Sequence, residues 1–136
     1  MKYSFRIIFI LTILAGISGC NNSKILEKIT VSEVNLNSVT NGTYRGSYRL
    51  NLPLGYFIGQ SYAIVDVSIS NNRFTSINLI NIPGWLATNK QTKIPQLLDL
   101  IMQEQKLNVD AIDGASFTKK AIQKAVENAF SNQLLN

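Results

Sequence analysis

The sequence predicts a small α+β domain, an antiparallel sheet with helices packed on one face. Two period-two runs meet at Asn71-Asn72, and the hydrophobic period then changes to a helical one at Lys93. A second helical stripe closes the chain between Phe117 and Gln133. Strands gathered first and helices second are the order in which one sheet is covered on one side.

The first residues read as an export signal rather than as part of the fold. Met1 to Arg6 supply a basic start, Ile7 to Leu14 an apolar run broken by Thr12, and Ile17-Ser18-Gly19-Cys20 a small-residue exit. The uncharged stretch is about 13 residues, whereas a spanning helix needs roughly 20. The Ile-Ser-Gly-Cys ending resembles a bacterial lipobox, which implies acylation of Cys20 and tethering outside the cytoplasmic membrane, facing the periplasm or the cell exterior. Two acyl chains hold a protein stably where one is marginal. The expected organisation is a signal peptide over 1–19, a lipidated N-terminus and linker over 20–38, with Asn21 to roughly Asn37 as a polar leash, and a domain over 39–136.

Within that domain, Asn41 to Leu50 alternates as a strand does. Leu52 to Gly59, apolar but broken by Pro53, Gly55 and Gly59, reads as a loop. Tyr62 to Ser70 puts Ala63, Val65, Val67 and Ile69 on one face and Asp66, Ser68 and Ser70 on the other. Asn71-Asn72 suits a tight turn because Asn tolerates positive φ, and Phe74 to Ile82 forms the partner strand. Ile82-Pro83-Gly84-Trp85 ends it. Ile94, Leu97, Leu98, Ile101 and Met102 then form one helical stripe. Ala121, Ile122, Ala125, Val126, Ala129 and Phe130 form the other.

Composition excludes much chemistry. The chain has one cysteine and no histidine. Intramolecular disulfides, Ser-His-Asp triads and nearly all zinc or non-haem iron sites are therefore ruled out, and no metal site is expected. The net charge of +5 includes Lys2 and Arg6 of the signal, which leaves 11 basic against 8 acidic residues. Most of the bases are scattered singly, unlike the dense stripe of a nucleic-acid binder. The carboxylates of Asp66, Glu104 and Glu127 show no spacing suited to acid–base work.

The chemically equipped stretch is Val109 to Thr118. Ser116 stands where a helix begins and backbone N–H groups point outward. Its hydroxyl suits either a helix cap or a covalent tether for a phosphate-bearing group. Gly114 and Ala115 suit either a tight turn or close approach of backbone to phosphate. The order of hairpin, Pro-Gly turn, helix, Asp-x-x-x-Gly-Ala-Ser and helix resembles the bacterial FMN-binding domain family. That family is found in a subunit of sodium-pumping NADH:quinone oxidoreductase, in a subunit of Rnf complexes and in small exported lipoproteins. The resemblance covers about Asn41 to Phe130. It rests on Asn41-Gly42-Thr43-Tyr44-Arg45-Gly46, on the central hairpin, and on Asp110, Gly114, Ala115 and Ser116 with a second hydroxyl at Thr118. Asp113 stands where the family usually has Ser or Thr.

The resemblance implies that a flavin transferase links FMN through its phosphate to Ser116. Asp110, Asp113, Gly114, Ala115 and Thr118 would then line the attachment site. Lys119 or Lys120 would add positive charge. Trp85, or Tyr56 and Phe57, would offer an apolar surface for the isoalloxazine, with Asn89, Lys90 and Lys93 near the ring's polar edge. The implied function is electron transfer by a lipid-anchored carrier, with a redox partner protein or a larger membrane oxidoreductase around it, rather than an enzyme with its own substrate. The alternative is a non-redox lipoprotein using the same fold as a ligand-binding or interaction module.

Overall fold

A computed structural model describes residues 28–49, 62–82, 93–109 and 116–131. Three strands, β1 (Gly42–Arg49), β2 (Tyr62–Ser70) and β3 (Arg73–Asn81), form an antiparallel sheet in the order β1-β2-β3. Two helices follow, α1 (Lys93–Glu104) and α2 (Ser116–Ser131). Helix α2 packs on β1 and β2, and α1 packs on β3. This is the expected α+β layering, with both helices contributing to the single core that backs the sheet.

The alternation in β2 does what its sequence dictates. Ala63, Val65, Val67 and Ile69 are buried, while the residues between them are half-buried. Asn71 and Asn72 adopt φ of 52° and 59°, the positive pair that a two-residue hairpin turn requires. β3 departs from simple alternation. Phe74 and Ile77 are three residues apart, so a regular strand would place them on opposite faces. A register shift, in which Ser68 faces Ser76 while Ile69 faces Phe74, turns both into the core.

Helix α2 buries all six residues of its predicted stripe. Full burial of Ile122 and Val126 stabilises the fold by roughly 1.5–3 kcal/mol each. Ala125 and Ala129 let the helix lie close to β1. A Cβ built on Gly46 would overlap the Ala125 carbonyl oxygen and stand 2.6 Å from the Ala129 nitrogen. Glycine is therefore the residue that this contact admits. Asn128 Nδ2 donates to the Ser47 carbonyl at 2.8 Å, and the Phe130 ring meets Tyr44 edge-on at 5.3 Å between centroids. As helix numbers rise, strand numbers fall, so α2 runs antiparallel to β1. Its C-terminus lies beside the hairpin turn and its N-terminus at the opposite end of the sheet.

Helix α1 buries Ile94, Leu97 and Ile101, with Leu98 and Met102 partly buried. It ends at Gln105, whose φ is 57° and whose N–H donates to the Ile101 carbonyl at 2.8 Å. The Gln105 side chain then turns to β3. Its Oε1 accepts from the Phe74 N–H at 2.8 Å, and its Nε2 donates to the carbonyls of Phe74 at 3.2 Å and Met102 at 2.6 Å. Gln105→Ala is expected to cost about 1–3 kcal/mol, because both backbone groups of Phe74 lose their partner. Amide hydrogen exchange at Phe74 should accelerate more than at Ile77. Equal protection at Phe74 in the two proteins would show that the amide contact is dispensable.

The expected leash is corrected in its second half. Residues 28–39 form a strap on the domain, with Ile29 and Val39 buried in the core and Val31, Val34 and Leu36 packed against it. Glu33 fixes the strap, its two carboxylate oxygens accepting from the N–H groups of Leu107 at 2.8 Å and Asn108 at 2.7 Å. Asn108 Nδ2 returns a hydrogen bond to the Val31 carbonyl at 3.2 Å. The domain thus includes residues from 28 onward.

Candidate functional site

Ser116 is the first residue of α2. The next two turns sort their side chains by helical spacing. Lys119 and Lys120, three and four residues on, share a face with Ser116, whereas Thr118 points into the protein and is 2 % exposed. Lys119 and Lys120 line a polar pocket of about 330 Å³ together with Asn108, Val109, Gln123 and the strap residues Ile29, Thr30 and Val31. Lys120 Nζ donates to the Ile29 carbonyl at 3.0 Å, and the Gln123 amide donates to the Leu107 carbonyl. The strap and the segment leading toward Asp110 are thereby fastened to the first half of α2.

The charges within the first turn of α2 do not favour the helix dipole. The first turn of α2 contains no acidic residue and ends in Lys119. Lysines beside the positive end of a helix dipole are unfavourable by a few tenths of a kcal/mol each. An anion at the same place reverses the sign of that interaction. The lysines one turn into α2 are a positive feature that an anion at this helix end would complement.

The other expected site residues fall differently. Cys20, Tyr56, Phe57, Trp85, Asn89, Lys90, Asp110, Asp113, Gly114 and Ala115 lie outside the described residues, and of Ser116 only the backbone is described. The flanking positions can still be compared. Arg49 and Tyr62, which bracket residues 50–61, are register partners at the end of the sheet away from the hairpin turn, with the Arg49 guanidinium 5.8 Å from the Tyr62 ring centre. Asn81, which precedes the Pro83-Gly84-Trp85 segment, reaches the Tyr62 carbonyl at 2.8 Å. The segments carrying the aromatic candidates thus leave the sheet at the end where α2 begins. Sequence reasoning missed the contribution of Ile29 to Val31 and of Asn108 to this region. The one available signal was the spacing of Ile29 and Val31 within a stretch otherwise rich in polar residues.

Elsewhere the polar groups serve the fold. Glu127 accepts from Lys124 Nζ at 2.8 Å and from the Ser32 N–H at 3.0 Å. It lines a cleft of about 230 Å³ with Val34, Val39 and Phe130. Arg45 and Asp66 form a two-pronged pair across β1 and β2, both contacts at 2.7 Å, with side chains 65 % and 22 % exposed. The hydrogen bond from Arg45 holds the Asp66 carboxyl below its ordinary range, and the attraction of the guanidinium charge lowers it further. A depressed carboxyl contributes stability that is present above its unfolded pKa and lost as pH falls through its folded one. The Asp66→Asn protein is therefore expected to match the parent in acid below both values. At neutral pH it should show a small deficit that added salt removes. Urea midpoints at the two pH values and at two salt concentrations read this directly; a deficit that persists in acid would place its origin outside the ion pair.

Among the described residues no cluster of His, Cys, Asp and Glu is arranged to hold a metal ion, and no helix is long and apolar enough to cross a membrane. Comparison with family models, with curated proteins and with solved structures finds no match for this chain.

Proposed function

We propose that this protein is an exported, lipid-anchored flavin carrier that holds FMN as a phosphoester on Ser116 and passes electrons outside the cytoplasmic membrane. The observation that supports the reading most is the charge of the first turn of α2. A serine opens the helix, the first turn has no acid, and Lys119 and Lys120, three and four residues on, line a pocket beside the strap. When bound, the flavin supplies the redox chemistry. The chain's own residues have simpler tasks. Ser116 provides the oxygen for the ester, the first N–H groups of α2 and Lys119 neutralise the phosphate, and Lys120 holds the strap against the same helix face. The burial of Thr118 makes it the weaker candidate for attachment, since a modifying enzyme needs an accessible hydroxyl.

Expression with a flavin transferase in an exporting host tests the reading. The expected result is in-gel flavin fluorescence and, on the peptide containing Ser116, a mass increase of one FMN less one water. Asp113 favours the second reading, a non-redox module on the same fold, because a carboxylate three residues before Ser116 repels a phosphate diester. A colourless protein with an unmodified Ser116 peptide selects that reading.

A further inference from the structure

The cleft between the strap and the last turns of α2 is built wholly from described residues and takes no part in the proposed flavin attachment. Its volume of about 230 Å³ lies just below the roughly 300–1,000 Å³ of ordinary ligand pockets. It therefore suits a small molecule rather than a drug-sized one. The floor is apolar: Val39 and Phe130 are buried, Val34 is half-buried, and Tyr44 meets the Phe130 ring edge-on.

The rim is acidic. Glu33 and Glu127 are the two charged residues of the lining, and no lysine or arginine joins them. The charge of Glu127 is answered by Lys124, whose Nζ donates to both carboxylate oxygens at 2.8 Å. That of Glu33 is not. Its oxygens accept one backbone N–H each, from Asn108 and Leu107, and among the described residues it forms no ion pair. A carboxylate oxygen has two lone pairs, so each can accept a second hydrogen bond. One unanswered negative charge thus stands over an apolar floor.

We propose that this cleft binds a small organic ammonium ion, a primary amine with a short apolar body, whether or not Ser116 carries flavin. The ammonium group donates to the Glu33 carboxylate, and the hydrocarbon body covers Val34, Val39 and Phe130. A hydrogen bond between two charged groups is stronger than its neutral counterpart, which separates the amine from an alcohol of the same shape. An anion of that shape is repelled by Glu33. Because the strap forms one wall and α2 the other, the occupant also ties the two together.

The test titrates the isotope-labelled full chain at neutral pH with isopentylamine, isopentanol and isovalerate, and follows the backbone amides by NMR. The amine is expected to shift Val34, Val39, Phe130 and Ser131 saturably and to leave Leu98 of α1 unmoved. The alcohol should bind about tenfold more weakly, and isovalerate not at all. No saturable shift with the amine, or equal binding of amine and alcohol, overturns the proposal, as does binding of isovalerate. Ser131→Tyr, at an exposed position on the rim, should block the cleft and abolish the shifts; shifts that persist place the amine elsewhere. Glu33→Gln should weaken the amine about tenfold and leave the alcohol unchanged. Should that variant release the strap, seen at the Leu107 and Asn108 amides before ligand is added, the parent's salt dependence decides. Amine affinity should then fall several-fold from low to high salt while that of the alcohol holds; an amine affinity indifferent to salt overturns the role of Glu33.

Discussion

Gly46→Ala is expected to destabilise the domain by about 3 kcal/mol or more, and Gly46→Val to leave little folded protein. Most small domains have only about 5–15 kcal/mol in hand. The reason is geometric. The atom that a Cβ at Gly46 would meet is a backbone oxygen, that of Ala125, backed by the nitrogen and methyl of Ala129. No rotamer change relieves such a contact, so the helix as a whole must lift from β1 and give up packing along Ala121, Ile122, Ala125 and Val126. Gly42→Ala is the control. Its Cβ would lie 3.4 Å from the Tyr44 hydroxyl, an ordinary contact with the end of a side chain, and its effect should stay within about 0.5 kcal/mol. Urea denaturation of the three proteins decides the matter: coincident midpoints for Gly46→Ala and Gly42→Ala would rule out the close helix–strand approach.

The second large effect concerns the start of α2. Ser116→Ala is expected to abolish flavin attachment completely while leaving the unfolding free energy, read by urea denaturation, within about 0.5 kcal/mol of the parent, since the change removes one oxygen at a helix terminus. Ser116→Thr should keep the label, because the nucleophilic oxygen is retained. Thr118→Ala should give the reverse pattern. The label stays, and stability falls by about 1–3 kcal/mol as a buried hydroxyl is lost and whatever it paired with is left unsatisfied. Asp113→Thr should raise the labelled fraction by removing a carboxylate near the phosphate. Label lost in Thr118→Ala and kept in Ser116→Ala would move the attachment point by two residues.

The parts of the fold that were legible in the sequence share one property: a regular period decides which face is buried. Val65, Val67 and Ile69 alternate because a strand exposes alternate faces, and Ala121 to Phe130 recur at helical spacing because a helix buries one stripe. Asn71-Asn72 was legible for a local reason, the tolerance of Asn for positive φ. The strap has no such period. Ile29, Val31, Val34, Leu36 and Val39 sit at uneven spacing along an irregular segment, and what fastens them are hydrogen bonds from Glu33 and Asn108, 74 to 77 residues apart along the chain. The shift that turns Phe74 and Ile77 to the same side is likewise invisible until the partner strand is known. Ser116 was legible as the start of a helix. The pocket beside it was not, because three of its eight lining residues come from the strap.

Gln105 has a consequence for how copies of this protein behave beside one another. Among the described residues β3 is an outer strand, and an outer strand normally presents free N–H and C=O groups that invite another chain to add on. At Phe74 that invitation is withdrawn: the carboxamide of Gln105 takes up both groups, as a fourth strand one residue long would. A single side chain at the end of α1 thus acts as a stop on lateral growth of the sheet at this position.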